Sequence, residues 1–412
     1  MIFLTDNALF LIFDKIEVIR LGRAFIDMKA AIESRKINIA RIWSKYEGQY
    51  ERRAGIIMGL DPQRYRTICI YLAKNSKNPN FLEQKGYKTI YILENQSLQR
   101  FNFMLVWKLV KIIKKEKIDI LHCHQHKSTV YGTMAAMIAR TPVVIAHVRG
   151  LGRTRNWQRR FKNLFFMKKV NKILTVGEAV RNDVLKNNIC IPTEKVYSLG
   201  NSIDYRYFAD VAISKADAKR MLGVPSDAFV FGTVARLVPT KGLSYLIEAF
   251  PEVKKHKRSA HLVLLGDGRC RSELEKQASN MFCRDSIHFL GYRENIEQLL
   301  RGMDVFVLPS VAEGFGLALA EAMAAGVPCI ATEVGGIPEI TNGTEAGILV
   351  PPRDSAELAK AMINTVSMPR NELAQLVDNA QNRVRHLYSH EKVCQKLMII
   401  YENELRTSTR LR

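Results

Sequence analysis

Short apolar runs of strand length alternate with amphipathic stretches of helix length along most of this chain. Ile37 to Trp43 (INIARIW) is the first convincing strand. RTICIYLA, a short helical PNFLEQKG, the strand TIYIL, the helix MLVWKLVKIIKKEK and the strand IDILHCH follow, so that periods of 2 and 3.6 residues keep trading places. PVVIAHVRG and VNKILTVGEAVRNDVLK continue the pattern, and VYSLGNSID closes it. A second series opens at AFVFGTVARLVPTKGLSYLIEAF and runs through HLVLLGDGRCRSELEKQA and IHFLGYRENIEQLLRGMDVFVLPS. Strands separated by helices predict an α/β protein with parallel, doubly wound sheets, and 412 residues suffice for two domains with separate cores. The boundaries expected are an extension over 1–36, a first domain over 37–200, a second over 201–388 and a closing helix over 389–412. Two long amphipathic helices are expected at the end of the chain.

The stretch from Pro309 to Glu339, PSVAEGFGLALAEAMAAGVPCIATEVGGIPE, carries the densest chemistry. The strand MDVFVLP stops at Pro309, and the helix former LALAEAMAA follows Glu313-Gly314-Phe315-Gly316. Gly314 and Gly316 let backbone approach a ligand closely, and the helix they open points unpaired N–H groups and partial positive charge at it. An anion is the natural guest. Glu321 lies about two turns along that helix and can reach back toward the cleft that Glu313 lines. Two acceptors beside an anion point to hydroxyl groups on the ligand. Upstream, Arg236 and Lys241 sit five residues apart in the turn after FVFGTVA, placed to converge on one diphosphate.

His122, His124 and His126 alternate at strand spacing and are expected on one face at a strand's carboxyl end. Without a nearby Cys or acidic ligand they form a poor zinc signature, so no metal is expected. Farther on, Arg153, Arg155, Arg159, Arg160, Lys162, Lys168 and Lys169 are interleaved with Trp157, Phe161, Phe165 and Phe166. Cationic heads beside aromatic bodies suit an anionic membrane surface, and they also suit RNA.

GNSIDYRYF, GTVARLVPTKGLSYLIEAF and the glutamate pair, in this order and spacing, resemble the retaining glycosyltransferases of family 4, GT-B type. The resemblance implies two Rossmann-like doubly wound domains facing a central cleft, with the last helix crossing back to the first domain. It implies a nucleotide-sugar donor, here UDP-linked, held by the second domain as substrate, with no cofactor. Glu313 would accept from the sugar hydroxyls and Glu321 from the ribose. His147, after its strand, would approach the donor sugar, and Gly291-Tyr292-Arg293 matches the turn that contacts the base, which makes Arg293 a binding candidate. Phe315 comes with the glycine loop. Where the family has a Gly-Gly pair near the phosphates this chain has Gly48-Gln49, which leaves Gly48 alone in that role. No two Asp residues stand at Asp-x-Asp spacing. The leaving phosphate's charge then falls to Arg236, Lys241 and the helix N-terminus, in a metal-free, front-face retaining displacement.

Composition narrows the alternatives. The chain is 47% hydrophobic and 25% charged, as soluble globular proteins are, and no apolar run reaches the 18 residues that would suggest a membrane span. Ala8 to Leu21 is broken by Asp14, Lys15, Glu17 and Arg20 and lacks a cleavage site, so it is not expected to be a signal peptide. Seven scattered Cys fit reduced thiols in the cytoplasm. Residues 1–200 carry 36 Lys and Arg against 15 Asp and Glu, a net of +21 of the chain's +22. A one-sided basic field gathers anionic partners. The expected partners are the nucleotide sugar, a lipid-linked or lipopolysaccharide glycan acceptor and the anionic inner face of the plasma membrane, without nucleic acid. The alternatives are a sucrose- or trehalose-type synthase acting on a soluble sugar, and a non-enzymatic RNA-binding protein, for which no RNA-binding module signature occurs.

Overall fold

The computed structural model describes residues 35–46, 51–74, 79–94, 101–152 and 157–410. Gly48, Arg153, Arg155 and nearly all of the expected 1–36 extension lie outside them. In the first domain β1 (Ile37–Trp43) is followed by α1 (Glu51–Met58), β2 (Tyr65–Lys74), α2 (Phe81–Gln84) and β3 (Lys88–Glu94). Next come α3 (Phe103–Lys115), β4 (Ile120–His124), α4 (His126–Ala139) and β5 (Val143–Val148). The domain finishes with α5 (Trp157–Lys169), β6 (Lys172–Thr175), α6 (Glu178–Asn187) and β7 (Val196–Ser198).

In the second domain α7 (Tyr205–Ala209) and α8 (Lys215–Met221) precede β8 (Phe229–Val234). The alternation resumes as α9 (Leu243–His256), β9 (Ala260–Leu265), α10 (Arg271–Ser279), β10 (Ile287–Gly291), α11 (Ile296–Leu300) and β11 (Val305–Leu308). It ends with α12 (Leu317–Ala324), β12 (Cys329–Thr332), α13 (Ile337–Thr341) and β13 (Ile348–Val350). Three helices close the chain rather than the two expected: α14 (Ser355–Ser367), α15 (Arg370–Arg383) and α16 (His390–Arg410). The apolar period runs through Met368-Pro369, but Pro369 has no N–H to continue a helix and starts a new one.

The sheets are ordered β3-β2-β1-β4-β5-β6-β7 and β10-β9-β8-β11-β12-β13, with every pairing parallel. Both are doubly wound: the strand order reverses between β1 and β4 and again between β8 and β11, which opens a crevice at the carboxyl ends there. Both faces are covered, which is why the central strands read as near-continuous apolar runs. On β1, Ala40 and Ile42 join a core shared with α3 and α4, whereas Ile37 and Ile39 face α1 and α16.

The terminal helix leaves the second domain and packs on the first. Leu397, Tyr401 and Leu405 of α16 share a buried cluster with Ile57, Tyr65 and Ile145. All three tryptophans, Trp43, Trp107 and Trp157, belong to the first domain, so fluorescence reports its unfolding. Leu397→Ala removes a fully buried side chain. It should cost about 2–5 kcal/mol, seen as an earlier urea transition in tryptophan fluorescence. An unshifted transition would show that the crossing helix does not stabilise the first domain.

Candidate active site

The loops after β8 and β11 meet at the crevice of the second domain. Arg236 is exposed in the first of them. Lys241 ends the short 3-10 turn Pro239–Lys241 and forms an ion pair with Glu313, both side chains largely buried. Ser310 Oγ lies 3.5 Å from the same carboxylate. The two loops are tied by backbone: Val311 N and Ala312 N both donate to Thr240 O, at 2.9 and 3.2 Å. This requires Gly242, whose φ is +61° and where a Cβ would stand 2.0 Å from Pro309 O.

Gly316, with φ +103°, opens α12, and no side chain caps the helix. Its first amides therefore remain available to an anion. Phe315 differs from the expectation: its ring is buried against Tyr388, centroids 5.1 Å apart, so only its backbone can serve a ligand. Glu321 is buried one turn into α12 rather than two, because half of its separation from Glu313 is spent in the glycine loop before the helix begins at Leu317. Arg293 is exposed in the loop after β10, beside a half-exposed Tyr292.

Across the cleft the histidines regroup. β4 ends at His124, and His126 instead begins α4, where burial and the nearby Arg159 and Lys162 push its pKa down to about 4. The third member of the cluster is His147 on β5, paired in register with His124. The rings of His122, His124 and His147 are all buried, with centroids 4.4 to 5.4 Å apart and ring planes within 36° of parallel. Trp43 stacks on His124 at 4.7 Å. The ring nitrogens come within 4.8 Å of one another, but stacked rings aim their lone pairs along parallel planes, whereas a metal needs them converging at about 2.0–2.1 Å. Arg41 Nε also donates to His124 Nε2 at 3.3 Å, bringing a buried positive charge to the same place. The arrangement is an aromatic wall. Burial first, then Arg41 for His122 and the neighbouring His122 for His124, holds these two imidazoles well below their usual pKa and hence neutral. His122 Nδ1 sits 2.6 Å from the Tyr401 hydroxyl of the crossing helix.

Several contacts close the cleft, and the sequence offered little sign of them. The loop after β5 brings Gly150 Cα within 3.3 Å of where a Cβ on Gly314 would be. Arg149 donates to Asn201 Oδ1 at 2.8 Å, which binds that loop to the crossover segment. Within the second domain Gly335, with φ +57°, leaves no room for a side chain, since a Cβ there would lie 1.7 Å from Glu313 O. Asn201 lies in GNSIDYRYF and Gly335 in the stretch from Pro309 to Glu339, so the GNS triplet and the glycine doublet were the available signals. Ser310 and Gly150 had none.

Two family models match the chain: "Glycosyltransferase Family 4" over residues 63–207 and "Glycosyl transferases group 1" over 214–383. Among curated relatives, the UDP-Gal:alpha-D-GlcNAc-diphosphoundecaprenol alpha-1,3-galactosyltransferase of Escherichia coli is 28% identical over 303 residues, covering 71% of this chain and 77% of that protein. Among solved structures, a glycosyltransferase from Rickettsia africae superposes with a TM-score of 0.78 at 19% identity, covering 90% of this chain and 99% of that one. Anabaena Alr3699/HepE, solved in complex with UDP and glucose, superposes with a TM-score of 0.77 at 22% identity, covering 89% and 100%.

Gly335→Ala is expected to displace the Glu313 backbone and so to lower the melting temperature, in line with a loss above about 1 kcal/mol for a side chain forced into a positive-φ, crowded position. Gly343→Ala shares the positive φ, +64°, without any neighbour within 4 Å. It should cost distinctly less by thermal unfolding, and equal losses would show that crowding at Glu313 is immaterial.

Proposed function

The chain belongs to the GT-B glycosyltransferases that join a family 4 N-terminal domain to a group 1 C-terminal domain, and we propose that it transfers a sugar, with retention, from a UDP-linked donor to a lipid-linked surface-glycan acceptor. The observation that carries the reading is the Lys241–Glu313 pair beside the uncapped start of α12, at the point where the strand order reverses. A cation, a row of free amides and a carboxylate gathered at one carboxyl edge suit a ligand that carries both phosphates and hydroxyls.

Donor binding exchanges partners. Lys241 turns from Glu313 to the diphosphate, joined by Arg236 and the α12 amides, and Glu313 is freed to accept from the sugar hydroxyls. Glu321 takes the ribose hydroxyls, the Arg293 turn takes the base, and His147 flanks the sugar from the other domain. As the bond to the sugar breaks, negative charge grows on the leaving phosphate, where preorganised cations and amides stabilise it without a metal. That phosphate then takes the acceptor's proton on the same face.

The acceptor class rests on the Escherichia coli relative, whose name gives it a diphosphoundecaprenol-linked substrate, and on one surface of the first domain. Trp157, Phe161 and Phe165 form an i, i+4, i+8 stripe on α5, each more than half exposed, among exposed Arg160, Lys162, Lys168 and Lys169. On α3, Phe103, Met104 and Trp107 are exposed as well, ahead of Lys108, Lys111, Lys114 and Lys115. Among the described residues no helix is long and apolar enough to cross a membrane. The reading is a peripheral enzyme at the inner face of the membrane, held by aromatic insertion and by about 1 kcal/mol for each basic residue near anionic lipid.

Lys241→Ala should lower turnover roughly 100- to 1,000-fold at a temperature where circular dichroism shows the variant folded, measured as UDP release from UDP-sugars, and excess EDTA should leave the wild-type rate unchanged. Near-normal turnover of the variant, or a strict need for Mn²⁺ or Mg²⁺, would reject the phosphate chemistry.

Changing Trp157, Phe161 and Phe165 together to Ser should release the protein from phosphatidylglycerol vesicles in a pelleting assay and cut transfer to a lipid-linked acceptor. UDP binding should persist. Unchanged pelleting would mean that the stripe does not meet the bilayer.

A further inference from the structure

The first turn of α6 lacks a cap of its own. Gly177 stands at the N-cap with extended backbone and no side chain, so none of the helix's opening amides is satisfied from that position. The missing oxygen comes from the other domain. Glu339, in the first turn of α13, accepts a hydrogen bond from Glu178 N at 2.7 Å through Oε2, a short charge-assisted contact at the positive end of a ten-residue helix. A Cβ at 177 would stand 3.0 Å from that same oxygen, so a side chain there would press on the carboxylate.

Glu339 is also held from behind. Arg383 donates to Glu339 O at 2.7 Å and to Ile340 O at 2.8 Å, which fixes the backbone from which the carboxylate projects. Arg383 ends α15, immediately before the segment that crosses to the first domain. That crossing and the earlier one lie side by side, joined at Ile203 and Ser389 and by Ile203 N to Tyr388 O at 2.8 Å. The contact therefore connects the connecting segments to the far domain. It also borders the glycine loop, since Gly314 O lies 3.6 Å from the Gly177 Cβ position.

We propose that Glu339 caps α6 across the cleft and thereby holds the two domains closed, as a positioning residue that sets the distance between the His147 side and the Glu313 loop. The bond exists only while the domains are together. Opening leaves α6 uncapped and the carboxylate without its amide, so this one contact biases the molecule toward the closed arrangement. The weight of a lost N-cap is about fivefold in the ratio of closed to open forms.

Small-angle X-ray scattering of the full chain without ligand tests the closure by itself. Glu339→Ala should shift the population to a larger radius, and Glu339→Gln, whose amide carbonyl can still accept from Glu178 N, should restore most of it. Gly177→Ser approaches from the other side: it supplies a capping hydroxyl within α6 and presses on the Glu339 carboxylate, so it should weaken the contact and shift the population toward the open form while the helix stays capped and the melting temperature holds. The kinetic arm rests on the proposed transferase activity. There Glu339→Ala and Gly177→Ser should each lower kcat several-fold with less than a twofold change in UDP affinity, since the residues assigned to UDP remain within the second domain. Scattering of both variants identical to wild type would overturn the proposal, as would Gln behaving like Ala. Because scattering needs no substrate, it separates a failure of the closure from a failure of the assigned activity.

Discussion

Bare backbone must approach bare backbone for this cleft to form. The Glu313-Gly314 segment is wedged between Gly335-Gly336 of its own domain and Gly150 of the other, at separations where a Cβ would collide or press hard. Glycine is the residue that satisfies both the left-handed backbone at 316 and 335 and the lack of room. With those segments seated, the carboxyl edges of two separate sheets present their loops to one another, and a cleft of defined width results. Enlarging Gly335 or Gly336 would move the loop that carries Glu313 and alter the spacing of everything around it.

The charges in that cleft are arranged asymmetrically. On the second-domain side, Lys241 and Glu313 neutralise each other at the strand-order reversal, with Arg236 exposed in the same loop as Lys241. A paired cation costs less to keep in a partly buried site than a lone one, and a ligand that offers both phosphate and hydroxyl can replace each partner with an equivalent. On the first-domain side, stacked neutral imidazoles and Trp43 form the wall, with the buried Arg41 behind.

The two domains are bound to each other by more than the chain that links them. The segments around Ile203 and Ser389 run together, and Tyr388 between them and α15 packs its ring on Phe315 of the glycine loop. The crossing helix then reaches the histidine wall through the Tyr401 hydroxyl. Movement at the connecting segments is therefore felt on both sides of the cleft through packed side chains, an arrangement suited to closure around a ligand.

Local features were legible in the residues alone. The alternation of strand and helix, the parallel sheets and the strand INIARIW at Ile37 to Trp43 follow from period and burial, and the placement of Glu313, Gly314, Gly316, Arg236 and Lys241 at strand ends follows from reading each strand into its own loop. The start of α12 at Leu317 was legible too, and Glu321 sits nearer to it than two turns because part of the Glu313–Glu321 spacing is loop. Which distant residues meet was settled by folding. Lys241 and Glu313 are 72 positions apart and Glu178 and Glu339 are 161 apart. His147 rather than His126 completes the histidine cluster because neighbours across a sheet are set by strand order and register, which the period along one strand does not encode. The same holds for Phe315, whose ring turned inward, and for Trp157, Phe161 and Phe165, which stayed out: composition fixes that a residue is apolar, but only the packing of the whole chain determines whether there is a surface left for it to cover.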